Sequence, residues 1–110
     1  MGFYLEHVMT GDRVYLVQGI NLFGRHSICN WKMKYDYMSR FHALISVQND
    51  KVFIREDARN GVFINYSQDR LGVIPREIFE GDDLSFGVKL EGDGELELPV
   101  TFGIFTLKAD

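Results

Sequence analysis

Apolar and polar positions alternate in short runs along this chain, and most runs stop at a glycine, an asparagine or an acidic pair. A period of two sends successive side chains to opposite faces of an extended strand. Phe3 to Val8 alternates in this way, Thr10-Gly11-Asp12 supplies turn residues, and Arg13 to Val17 resumes. That pattern predicts an antiparallel hairpin. Gly19 and Gly24 bracket Ile20-Asn21-Leu22-Phe23, too apolar for a loop and too short for a helix. Trp31 to Met38 alternates large apolar residues with Lys32, Lys34 and Asp36, and reads as an edge strand or an extended loop. The clearest hairpin joins Ala43–Val47 to Val52–Arg55 through Gln48-Asn49-Asp50-Lys51, whose Asn-Asp pair tolerates turn conformations. Val62–Ile64, Leu71–Ile74, Leu84–Phe86 and Val100–Leu107 complete the expected strands. Only Arg76 to Phe79 shows a weak helical spacing. Short strands at this spacing predict an all-β sandwich whose binding residues sit on loops.

Composition narrows the class. The chain of 110 residues is expected to form one domain over 1–110 with one core. Hydrophobic residues at 45% indicate a globular protein, and nine Phe and five Tyr beside eleven Gly fit strands joined by tight turns. A formal net charge of -4 argues against direct nucleic-acid binding through backbone phosphates. The lone Cys29 rules out an internal disulfide and fits a reducing compartment. No apolar run approaches the roughly 20 residues that span a bilayer. Met1-Gly2-Phe3-Tyr4-Leu5-Glu6 lacks the features of a signal peptide, and Glu6 stands where myristoylation expects Ser or Thr. An intracellular protein with no membrane partner is the expectation.

Three polar islands fall in loops or at strand ends: Gly24-Arg25, Ser39-Arg40-Phe41-His42 and Asn60-Gly61-Val62-Phe63-Ile64-Asn65. Together they offer what an anion needs. Arginine donates two parallel hydrogen bonds to a phosphate, a serine hydroxyl adds another, and asparagine both donates and accepts along an extended peptide. Each has a plainer reading alone: Arg25 and Arg40 as solvated surface charges, Ser39 as a turn cap, Asn60 as half of an Asn-Gly turn. The combination, in order, favours phosphate binding.

With Asp82-Asp83-Leu84-Ser85-Phe86-Gly87 added, these islands resemble the forkhead-associated (FHA) domain, over about Leu16 to Gly87 and with compatible flanks. The resemblance implies a β-sandwich of two antiparallel sheets with binding loops at one end. It further implies a non-catalytic adaptor, without cofactor or metal, that binds a phosphothreonine-containing segment of a partner protein. A signalling or DNA-damage-response setting and a nuclear location follow from where such domains are frequent. By this resemblance Arg25, Ser39 and Arg40 face the phosphate, Asn60 grips the peptide backbone, and Gly24, Gly61 and Asn65 shape the loops. His42 orients the loops. Arg59 stands where the family often places a hydroxyl residue facing the phosphate; it either strengthens binding or points away. Tyr37, Met38 and Arg70 are the candidates for selecting partner residues. Ala58 and Val62 replace hydroxyl residues that usually brace the loops, which puts loop rigidity in question.

Other readings are weighed against this one. Ser39 and His42 with Asp36 or Asp57 suggest a hydrolase triad, but the spacing is more economically a structural brace. His26 and Cys29 suggest metal ligation, yet no second pair completes a site, and a buried or half-buried thiol is the better expectation. A phosphate-independent homodimer or scaffold is the alternative, with Tyr4, Phe102 and Phe105 as exposed aromatics, although their alternating positions also suit a core.

Overall fold

The computed structural model describes residues 2–57, 60–89 and 101–110, and among these every regular element is a strand. One sheet runs in the order β2-β1-β10-β9-β7, built from β1 (Phe3–His7), β2 (Arg13–Tyr15), β7 (Val62–Ile64), β9 (Asp83–Phe86) and β10 (Gly103–Ala109). The other runs β4-β3-β5-β6-β8, from β3 (Gly19–Gly24), β4 (Trp31–Lys32), β5 (Ala43–Gln48), β6 (Lys51–Glu56) and β8 (Arg76–Ile78). Among the described residues the strands pair antiparallel except β3 with β4, which is parallel over Phe23↔Trp31 and Gly24↔Lys32, and one isolated bridge, Asp36↔Phe102, is also parallel.

Alternation sets which face each strand buries. Ala43, Ile45 and Val47 of β5 and Val52, Ile54 and Glu56 of β6 point inward. Their partners across the sandwich are Leu5, Leu84, Phe86, Phe105 and Leu107, all fully buried. Phe86 is the hub: its ring stacks on Phe23 at 5.9 Å and meets Phe105 edge-on at 5.9 Å. Burying one such side chain contributes about 1.5–3 kcal/mol.

Three expectations change. Leu71–Ile74 forms no strand, because Gly72 adopts a left-handed φ of 90°, Pro75 follows, and Val73 and Ile74 lie exposed. The edge of β6 instead pairs with Arg76–Ile78, through Val52↔Ile78 and Ile54↔Arg76, so an available strand edge overrides a weak helical spacing. Tyr4 and Phe105 are core residues and Phe102 is half-buried, which removes the exposed aromatics invoked for a dimer. Trp31–Lys32 is the short edge strand of the ambiguous stretch, and Met33 to Asp36 continue from it with the same alternation of burial. Val100 lies outside the described residues, and the last strand begins at Gly103.

The Asn49-Asp50 turn closes the β5–β6 hairpin with Gln48 paired to Lys51, and Asn49 takes a positive φ of 60°.

Candidate functional site

Backbone hydrogen bonds weave three connections together at one end of the sandwich. Arg25 N–H donates to Ser39 C=O and His26 N–H to Arg40 C=O, each at 3.0 Å, so the segment leaving β3 lies against the segment entering β5. The approach is so close that a Cβ on Gly24 would stand 2.1 Å from the Arg40 carbonyl oxygen, a position no other residue fills. Asp57 N–H donates to His42 C=O at 2.8 Å, which brings in the β6–β7 connection.

His42 holds two of these loops to each other. It is fully buried at the start of β5, and both ring nitrogens bond to backbone. Ser39 N–H donates to Nδ1 at 3.0 Å, and Nε2 lies 2.7 Å from the Gly61 carbonyl. A backbone N–H only donates and a carbonyl only accepts, so the ring is neutral with its proton on Nε2. Burial pulls its pKa below the ordinary 6.5, against the opposing pull of the Gly61 carbonyl and Glu56. Neither nitrogen is left to take a proton from the Ser39 hydroxyl, and the triad geometry is not formed. The Gly61 carbonyl also accepts Gly87 N–H at 2.9 Å, tying the β9 end to the same point.

Glu56 is the residue the sequence reading passed over. It lies on the inward parity of β6, 3% exposed, with one carboxylate oxygen accepting Val62 N–H at 2.8 Å and the other accepting Arg70 Nε at 2.5 Å. Burial pushes its carboxyl up, but the N–H groups of Val62 and Gly72 and the Arg70 guanidinium outweigh that, and its pKa falls below the ordinary 4.5. This carboxylate bridges the two ends of the β6–β7 connection where Ala58 and Val62 lack hydroxyls. Gly61 sits beneath it with φ 77°, where a Cβ would crowd both Arg70 and Glu56 at 3.1–3.2 Å. Period-two alternation beyond Ile54 is the signal that would have found Glu56: an acid on the core face needs partners.

On this frame a hollow of about 540 Å³ opens, lined by Arg25, Tyr37, Ser39, Arg40, Asp57 and Asn60 among others. Arg25 and Arg40 are exposed, and among the described residues neither guanidinium has an ion-pair partner. The Ser39 hydroxyl is half-buried and uncommitted among the described residues. Asn60 donates from Nδ2 to the Tyr37 carbonyl at 3.1 Å, so its amide is oriented while its Oδ1 stays free among the described residues. Tyr37, with φ 67° and 59% exposed, packs its ring edge-on against Phe102 at the rim.

Of the remaining sequence candidates, Met38 also lines this hollow, while Arg70 and Asn65 lie outside its lining. Met38 is a core residue, 2% exposed, so its side chain has no surface to offer a partner; strand alternation breaks at the turn of Tyr37 and sends Met38 inward. Arg70 is half-exposed, but its Nε is bound to Glu56, so it serves the loop brace. Asn65 lies beyond β7 with φ 51°, its side chain bonded to the Asp82 carboxylate and to Asp83 N–H. Arg59 falls outside the described residues. Cys29 is a buried free thiol, its pKa raised by burial, with Sγ 3.4 Å from the Arg40 carbonyl; His26 instead accepts Ile28 N–H.

Known structures share this architecture. No curated protein matches the sequence. The FHA domain of the Chlamydia trachomatis protein CT664 superposes with a TM-score of 0.74 at 19% identity, over all of this chain and 99% of that one. The N-terminal FHA domain of S. cerevisiae Rad53p, solved with a phosphothreonine peptide, gives 0.74 at 12% identity over 100% and 94% of the two chains. The FHA domain of human APLF, in complex with an XRCC1 bisphospho peptide, gives 0.71 at 21% identity and covers both chains fully. These likenesses concern the fold; the sequence itself matches the family model described as the FHA domain over residues 21–87, more than half of the chain, and the protein therefore belongs to the FHA domain family.

Proposed function

We propose that the hollow between the loops binds a phosphothreonine-containing segment of a partner protein, and that the domain is a non-catalytic interaction module. The observation that carries this reading is the convergence on one hollow of Arg25, Arg40 and the Ser39 hydroxyl, none of them paired among the described residues, with an oriented Asn60. A phosphothreonine brings about -1.5 to -2 charges and three acceptor oxygens, which matches that donor set. Arg25 and Arg40 take phosphate oxygens, the Ser39 hydroxyl takes another, and Asn60 Oδ1 accepts a backbone N–H of the extended peptide. The relatives solved with phosphopeptides support the reading, as does the family. Because the loops are pre-tied by His42 and Glu56, little ordering entropy opposes binding. A signalling or DNA-damage-response role in the nucleus belongs to the same proposal, and rests on the frequency of such domains there.

The test is binding to phosphothreonine peptides beside phosphoserine and unphosphorylated versions, with Arg25→Ala for comparison. A hydrogen bond to a charged group contributes about 1.5–3 kcal/mol, so Arg25→Ala weakens binding about ten- to hundredfold. Arg25 is exposed, so melting is unchanged. Equal binding of phosphorylated and unphosphorylated peptides by the wild type refutes the proposal.

A further inference from the structure

The two sheets differ in what they show to solvent. On the β2-β1-β10-β9-β7 sheet the outer face closes over itself with polar contacts. Glu6 meets Arg13 at 3.4 Å and Lys108 at 3.6 Å, the Arg13 guanidinium lies 4.9 Å over the Tyr4 ring, and Thr106 Oγ1 donates to the Asp83 carboxylate. Among the described residues the outer face of the β4-β3-β5-β6-β8 sheet carries no such pairs. There Phe23, Ile45 and Ile54 point inward, so alternation turns Ile20, Leu22, Leu44 and Phe53 outward.

Pairing register joins these four into one patch. Leu22 stands opposite Leu44, and Ile20 and Phe53 stand on either side of Ser46. Ile20 is 61% exposed, and the other three are half-buried without belonging to the apolar side chains that pack on the core. At the β8 margin the chain runs past Arg55, between the Glu56 N–H to Gly72 C=O bond and the Ile54↔Arg76 pair. Val73 and Ile74 lie on that stretch and are largely exposed. Lys51 at the hairpin end and Lys32 on the edge strand flank the patch without interrupting it. A solvated sheet face ordinarily carries polar residues, and a contiguous apolar patch marks a contact surface.

Two charges bordering the patch indicate what covers it. Phe53 is the register partner of Glu77, and Arg55 stands two residues further along β6, so Arg55 and Glu77 are diagonal neighbours on this face. Among the described residues neither forms an ion pair. A face with one such cation and one such anion beside apolar side chains is complementary to itself. In a twofold contact Arg55 of each copy meets Glu77 of the other, and the match occurs twice.

We infer that this face is the interface of a homodimer, with Phe53 beside the twofold axis and Arg55 against Glu77 of the second copy. It uses none of Tyr4, Phe102 and Phe105, which lie in or beside the other sheet. Nor does it depend on phosphate binding: Arg25, Ser39, Arg40 and Asn60 are not part of the patch, so the dimer carries two hollows.

Sedimentation velocity of the whole chain, from about 1 μM to about 1 mM, reads the association directly. Wild type is expected to pass from monomer to dimer within that range. Phe53→Asp is expected to weaken self-association about tenfold or more, with circular dichroism confirming the fold. The charge variants carry the sharper test. Arg55→Glu and Glu77→Arg each set like charges across the contact, and each self-associates about tenfold more weakly than wild type. Mixed in equal amounts, the two variants dimerise with each other, because every altered residue then meets its opposite charge. The double exchange Arg55→Glu/Glu77→Arg restores self-association for the same reason. Both positions face outward, so the fold does not depend on either charge. A wild type that stays monomeric throughout overturns the proposal and leaves the face to a different occupant. A dimer indifferent to Phe53→Asp and to both charge variants overturns it too, as does a mixture that forms no more dimer than either variant alone.

Discussion

Replacing His42 with alanine separates a residue that touches ligand from one that holds the loops. The imidazole makes two hydrogen bonds to backbone and packs edge-on against Phe86 at 5.7 Å. Alanine leaves Ser39 N–H without its acceptor, at about 1–3 kcal/mol for a buried unmade bond. The Gly61 carbonyl suffers less, because Gly87 N–H still donates to it. Loss of the edge-to-face contact removes about 0.5–1.5 kcal/mol beyond the area buried. Together these put the destabilisation at about 3 kcal/mol. Unfolding entropy near 2.1 cal/mol/K per residue over this chain gives about 0.23 kcal/mol per degree, hence a melting point lowered by about 13 °C. Calorimetry or circular dichroism measures that shift, and peptide titration well below both melting points measures binding. The expected pattern is a large loss of stability with weakened binding that follows from looser loops. A His42→Ala protein that melts like wild type yet no longer binds phosphopeptide would falsify the brace argument, because the ring would then be acting on the ligand.

Two further predictions come from the buried ionisable groups. His42 has a folded pKa below its ordinary 6.5, so the unfolded chain binds the extra proton; the stability this gives is present above pH 6.5 and is lost as pH falls from there toward the folded value. The loss reaches at most about 1.4 kcal/mol per pH unit, and Glu56, depressed below 4.5, adds to it in more acid solution with the same sign. Urea titrations of wild type and His42→Gln between pH 7 and 5 check this, and parallel profiles count against it. Glu56→Gln keeps an acceptor for Val62 N–H but leaves Arg70 without its carboxylate. Since Arg70 is half-exposed, the expected loss is about 1–3 kcal/mol, below the range for a fully buried pair; a Glu56→Gln melting curve overlying wild type would refute a bracing role.

Much of this protein is legible in its sequence. The β5–β6 hairpin follows from alternation and a left-handed asparagine turn, both local effects. The Gly24, Ser39–His42 and Asn60–Gly61 islands mark the loops that meet at one end of the sandwich because glycine and asparagine announce tight backbone before any contact is known. Tertiary structure decided the rest. The β8 strand forms at Arg76–Ile78 because the edge of β6 needs a hydrogen-bonding partner there, a requirement no local spacing carries. Met38 turns inward although it neighbours Tyr37 and Ser39, since one left-handed residue resets the alternation. Glu56 and Arg70 are far apart in sequence, and they pair only because the β7–β8 connection folds back, with Leu71 N–H on the Val62 carbonyl and Glu56 N–H on the Gly72 carbonyl. Lys32 and Lys34 belong to a stretch that reads as an edge strand or an extended loop, and only the parallel pairing of β4 with β3 brings them near Arg25. The sequence alone determined which chemical groups are present and which turns they form. Long-range pairing, which depends on strand edges distant in the chain, decided which of those groups meet.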